Sequence, residues 1–128
     1  MNNIVDSSGW LEYFGKGVHG KRFSPVIQES ANLVVPTITI YEVFKRILQQ
    51  RGEDAALSAI GWMAMGRVVA LSQELALEAA TLSLELALPM ADSIILATAY
   101  ANQAVLWTQD EHFKGLPGVE YIPRENKE

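Results

Sequence analysis

The chain has 128 residues, 49% of them hydrophobic and 20% charged, with a formal net charge of −5 at pH 7. That size suits one domain spanning residues 1–128, and the balance argues against disorder. The absence of cysteine and the presence of only two histidines, His19 and His112, exclude disulfides, thiolate metal sites, cysteine nucleophiles and a zinc cluster. Any metal should therefore be a hard cation held by oxygen, such as magnesium or manganese.

The N-terminus, MNNIVDSSGW, has no basic region and no long apolar run, so it carries no signal-peptide pattern. Asn2–Asp6 is a short β-branched run that predicts a strand. SSGWLEYF has helical spacing, with Trp10, Leu11 and Phe14 on one side, and Gly15 and Gly17 break it. Residues 21–31 predict a further helix, and NLVVP (Asn32–Pro36) a buried strand ended by proline. Thr37 or Thr39 can cap the next helix, whose apolar stripe is Tyr41, Phe44 and Leu48, with Val43 and Ile47 beside it; Gly52 ends it. Residues 53–65 are helical, Arg67–Leu71 is a third strand, and Ser72 caps a helix to about Leu86. Pro89 opens an apolar helix, AVLWTQD is a fourth strand and VEYIP a fifth. The run from Leu84 to Ala101 is interrupted by Glu85, Pro89 and Asp92, so it is not a membrane span. Without that signal or a leader, the expected compartment is the cytoplasm.

Strands alternating with helices predict a parallel sheet covered on both faces, with ligands at the carboxyl ends of the strands. Four acids fall at that edge. Asp6 ends the first strand, Asp110 follows the fourth, and Glu42 and Asp92 sit near the starts of helices. Singly, structural roles account for each: Asp6 as a helix cap, Glu42 paired with Arg46, Asp92 favouring a helix dipole, Asp110 as a turn residue. Together they are harder to dismiss. Between Arg67 and Lys114 there is no lysine or arginine, so Asp92 and Asp110 have no local basic residue. Such a site must protonate, stay wet, draw in a distant cation or bind a metal.

A cluster of carboxylates with no histidine or cysteine suits one or two magnesium ions, which take few protein ligands and leave room for substrate phosphate. Bound metal lowers the pKa of water, and a second ion stabilises the leaving oxygen of an in-line displacement. This also answers the objection that an acidic protein should repel nucleic acid, since basic residues need only guide the strand. Lys16, Lys21, Arg22, Lys45, Arg46, Arg51 and Lys114 are the candidates, most of them as solvated surface charges. The methionine-bearing segment Ala59–Gly66 suits either a binding groove or, more simply, the core.

The segments IVDSSGWLEYF, PTITIYEVFKRIL, LPMADSIILATA and LWTQDEHFKGLPGVEYI, in this order from residue 4 to residue 122, resemble the motifs of PIN-domain ribonucleases, specifically VapC-type toxins. The resemblance implies a three-layer α/β PIN-like domain, with a central parallel sheet of four to five strands flanked by helices. It implies that Asp6, Glu42, Asp92 and Asp110 form an acidic quartet binding Mg2+ or Mn2+, the first three as core ligands and Asp110 in a second metal site or positioning water. Ser8 and Thr108 match hydroxyl residues that orient the carboxylates. The implied activity is metal-dependent endonucleolytic cleavage of RNA, with a cognate antitoxin and a homodimer as partners. Some relatives carry a further acid after the last Asp; here Glu111 adjoins it and is not assigned as a ligand, because neighbouring side chains diverge. His112 could contact phosphate, but reads more simply as an exposed loop histidine.

Two other readings compete. A receiver-like signalling domain also gathers acids and magnesium, but needs an aspartate after a central strand and a late lysine, where this chain has RVVALSQE and WTQD. An inert PIN-like binding module would be expected to lose some of the acids.

Overall fold

Strand alternation decides the layering. Successive side chains of a strand face opposite sides. In β1 (Asn2–Val5) and β2 (Val34–Pro36), the neighbours Ile4 and Val5, and Val34 and Val35, are all buried. Val5 and Val35 join one core with Trp10, Phe23, Val43, Ile47 and Met63, while Ile4 and Val34 join another with Leu96, Leu106 and Phe113. The first core is closed by α1 (Ser7–Phe14), α2 (Gly20–Gln28), α3 (Thr37–Arg51) and α4 (Glu53–Met63). The second is closed by α6 (Met90–Ala101), against which α5 (Gln73–Leu86) packs. The computed structural model describes residues 1–124, and its architecture is the expected three-layer α/β arrangement.

The remaining strands are β3 (Arg67–Val69), β4 (Ala104–Thr108) and β5 (Val119–Tyr121). All pairings are parallel. The five strands do not form one continuous ladder, however. They run β1–β4–β5 and β2–β3, tied by a single bridge between Asn3 and Leu33. β2 has only three residues and ends in Pro36, which has no N–H to extend the pairing.

Several local expectations shift. The helix expected over 21–31 ends at Gln28, and Ser30–Asn32 forms a separate 3-10 turn. Neither Thr37 nor Thr39 caps α3, because the chain turns into the helix directly from Pro36, whose φ of −67° suits the entry, and Thr39 is buried. The buried stripe of α3 is Thr39, Val43 and Ile47, whereas Tyr41 and Leu48 are 59% and 42% exposed. Apolar residues surround much of this helix, so periodicity alone does not phase it. α4 ends at Met63 and β3 at Val69. Met63 is buried while Trp62 and Met65 are exposed. Ser72 does cap α5, accepting from the Leu75 N–H at 3.1 Å. No single helix among the described residues is long and apolar enough to cross a membrane, and residues 93–99 of α6 are buried in the core.

Candidate metal centre

Asp6 follows β1 at the carboxyl edge of the sheet, and its backbone N–H still pairs with the Trp107 carbonyl of β4 at 3.2 Å. Its carboxylate caps α1, with Oδ1 accepting from the Gly9 N–H at 3.0 Å and from Ser8 Oγ at 2.8 Å. Oδ2 accepts from Thr108 Oγ1 at 2.6 Å and from Ser8 Oγ at 3.0 Å. Gly9 allows this geometry, since a Cβ there would lie 2.6 Å from Val5 Cγ1 and 2.8 Å from Phe23. α1 could not then approach β1 so closely. Ser8 and Thr108, singled out from the sequence, both hold Asp6. The cap role and convergence with other acids therefore coexist in one residue.

Thr108 also joins two acids. Its Oγ1 accepts from the Asp110 backbone N–H at 2.9 Å while donating to Asp6. Asp110 in turn caps the 3-10 turn Glu111–Phe113, accepting from the His112 N–H at 2.9 Å. That turn swings the His112 ring over the rim. Its Nδ1 lies 3.0 Å from Asp92 Oδ2, in the first turn of α6, and 3.0 Å from Asp110 Oδ1. Asp92, Asp110 and His112 each offer one ligand atom within 4.8 Å of the others. His112 is exposed, as expected, but the cluster is not free of histidine as the sequence suggests, because the 3-10 turn brings this ring against both acids. The histidine two residues after Asp110 was the available signal, and its reach to Asp92 was not.

Glu42 stands apart from this corner. The sequence suggested pairing with Arg46, but Glu42 Oε1 instead accepts a short hydrogen bond from Ser7 Oγ, directly after Asp6. It lies in the second turn of α3, near the helix start as expected. Ser7 thus tethers it to the start of α1.

The electrostatics follow from burial and crowding. Burial raises the Asp6 carboxyl to about 6, against the lowering effect of the Thr108, Gly9 and Ser8 bonds, with Asp110 adding a further push upward. Asp92 rises to about 7, first through burial and then through the Asp110 charge; His112 opposes the rise, and Asp6 adds to it. Asp6, Asp92 and Asp110 therefore act on one another. Among the described residues, no lysine or arginine pairs with any of the four acids. An all-oxygen set of crowded carboxylates, beside one imidazole, fits a hard divalent cation, whose charge would relieve both burial and repulsion.

The fold has solved relatives. A toxin–antitoxin complex from Klebsiella pneumoniae is similar with a TM-score of 0.78 at 24% identity, covering 94% of this chain and 100% of that one. VapBC2 from Rickettsia felis, solved bound to a promoter DNA fragment, gives 0.74 at 15% identity over 94% of this chain and 98% of that one. VapC20 from Mycobacterium tuberculosis, described as a toxin cleaving the sarcin–ricin loop, gives 0.74 at 13% identity over 91% and 95%. No curated protein matches the chain by sequence. The PIN domain family matches residues 4–119, a span that contains every acid of the cluster and both hydroxyl residues that hold Asp6. The chain belongs to the PIN domain family.

Proposed function

We propose that this chain is a divalent-metal-dependent endoribonuclease of the VapC type, the toxin of a toxin–antitoxin pair. The observation that carries the reading is the meeting of Asp6, Asp92 and Asp110, from three separate elements, at the carboxyl edge of a parallel sheet with no paired lysine or arginine among the described residues. Family membership and the toxin–antitoxin complexes among its structural neighbours support it. Asp6, Glu42, Asp92 and Asp110 would hold Mg2+ or Mn2+. When bound, such an ion supplies positive charge against phosphate oxygens and acidifies water.

The chain's own residues prepare that chemistry. Ser8, the Gly9 N–H and Thr108 lock both oxygens of Asp6 in place, so it needs no reorientation when substrate arrives. Thr108 couples this position to Asp110, and Ser7 steadies Glu42. His112 Nδ1 is within reach to share a proton with Asp92 or Asp110. RNA is the proposed substrate, a cognate antitoxin the proposed inhibitor, and a homodimer the proposed assembly. Structured and unstructured RNAs incubated with the protein and Mg2+ or Mn2+ should be cut at internal positions. EDTA and Asp92→Asn should each abolish the cutting, and activity surviving either would remove the metal-site reading.

A further inference from the structure

Beside the acids lies a cleft of about 390 Å3, within the ~300–1,000 Å3 typical of ligand sites. One wall is α1, with Ser8, Leu11, Glu12 and Phe14; the other is α3, with Arg46, Ile47, Gln50 and Arg51. Gln109 and Arg124 complete it. Three of the chain's five arginines therefore face one depression in a protein of net charge −5. None of the three forms an ion pair among the described residues.

The cleft's single acid is already committed. Glu12 accepts from the His19 N–H at 3.0 Å and from Gln109 Nε2 at 3.2 Å, and these bonds help hold it below the usual carboxylate range. His19 and Arg124 also act on this charge, but both Glu12 oxygens are bonded to the His19 N–H and Gln109 Nε2, and no guanidinium group is within ion-pair distance of Glu12 among the described residues. The cleft also opens onto the acidic rim, because Ser8 lines it while holding Asp6, and Gln109 directly precedes Asp110.

We infer that the Arg46–Arg51–Arg124 cleft binds the phosphodiester backbone of single-stranded RNA next to the acidic centre and feeds the strand toward it. The inference rests on the ribonuclease reading and extends it to named residues. Guanidinium forks match phosphate oxygens bidentately. Leu11, Phe14 and Ile47 supply apolar surface between the charges, suited to sugar and base faces. A local basic track on an acidic protein also reconciles net repulsion with binding of a polyanion: distant charges are screened at physiological salt, while contacts are not. An acidic peptide could use the same guanidinium groups, but the cleft's continuity with the carboxylate rim favours the substrate strand.

The test is fluorescence anisotropy with a labelled single-stranded oligoribonucleotide in EDTA, which keeps the RNA intact, across a salt series. Arg46→Ala/Arg51→Ala should weaken binding at least tenfold. It should also flatten the log Kd against log salt slope by about 1.4, two phosphate contacts at ~0.7 each. Arg124→Ala should remove about half that slope change. Arg46→Lys/Arg51→Lys should keep the slope while losing part of the affinity. Arg67→Ala, at the opposite sheet edge, should bind as the parent does. All three cleft arginines are exposed, so these variants should keep the parent melting temperature. Unchanged affinity and slope in the double variant would overturn the inference. So would a labelled nonaglutamate peptide whose binding is lost in that variant while RNA binding persists. RNA cleavage assayed in parallel separates the two levels: a parent that cuts RNA with unaffected arginine variants sinks only the cleft, whereas a parent that neither binds nor cuts sinks the ribonuclease reading as well.

Discussion

Asp6 and Asp92 carry the same group at the same sheet edge, and burial raises both, yet their surroundings differ. Asp6 is 2% exposed and receives bonds from Ser8, Gly9 and Thr108. Asp92 sits among like charges, and the basic side chain that touches it is the His112 imidazole, shared with Asp110. The first is a carboxylate oriented by the fold; the second belongs to a corner held in tension by repulsion. Orientation needs packing and donors, which the scaffold supplies as part of its stability. Tension needs only crowding, and a bound cation can relieve it.

The largest effect should come from loosening the oriented side. Thr108→Val removes the bond to Asp6 and the one from the Asp110 N–H at nearly constant volume, and should weaken Mn2+ binding by about 10–100-fold in calorimetric titration. An affinity within twofold of the parent would mean that Asp6 needs no such support. Next, Asp6→Ala should cost about 1–2 kcal/mol in urea unfolding of the metal-free protein at pH 5, because α1 loses its cap. Asp92→Asn should cost nothing measurable under the same conditions. Equal losses would erase the distinction between the two carboxylates.

A pH series sharpens the same contrast. In the unfolded chain both groups are ionised by pH 5, whereas in the fold Asp6 releases its proton near 6 and Asp92 near 7. The folded state therefore holds more protons in this window. The stability these groups contribute is present below the unfolded pKa and is lost as pH rises through the folded values. The melting temperature of the metal-free protein should fall between about pH 5 and 7.5. Asp92→Asn should flatten the upper part of the fall, and Mn2+ should raise melting more at the upper end than at the lower. A rise with pH in the metal-free protein would contradict the strained corner. The smallest effect is expected from His112→Ala. His112 is more than half exposed, so stability should change by under ~1 kcal/mol, read by urea unfolding, and Mn2+ affinity should change by less than tenfold. A loss matching Thr108→Val would make His112 an equal partner of the oriented side.

Legibility in the sequence tracked how local each feature is. Asp6 and Asp110 are legible because each follows a strand directly, and parallel strands bring their carboxyl ends to one edge. Ser8 is legible because it lies two residues from Asp6, within the same turn. His112 is not, since its contact with Asp92 crosses 20 residues of sequence and depends on a 3-10 turn after β4. Arg124 joins Arg46 and Arg51 only because the chain beyond β5 passes the end of α1 and α3. The α3 stripe was misphased because its apolar residues do not define one face until α1 and α4 choose it.

The sequence alone determines the layered α/β architecture and the acids that mark the carboxyl edge, because strand alternation, helix starts and strand ends are short-range consequences of residue order. Tertiary structure decides what each acid experiences. The Thr108 bond to Asp6, repulsion at Asp92, the Ser7 tether on Glu42 and the arginine cleft all arise from distances between segments far apart in the chain. Desolvation and charge coupling depend on those distances rather than on neighbours in sequence.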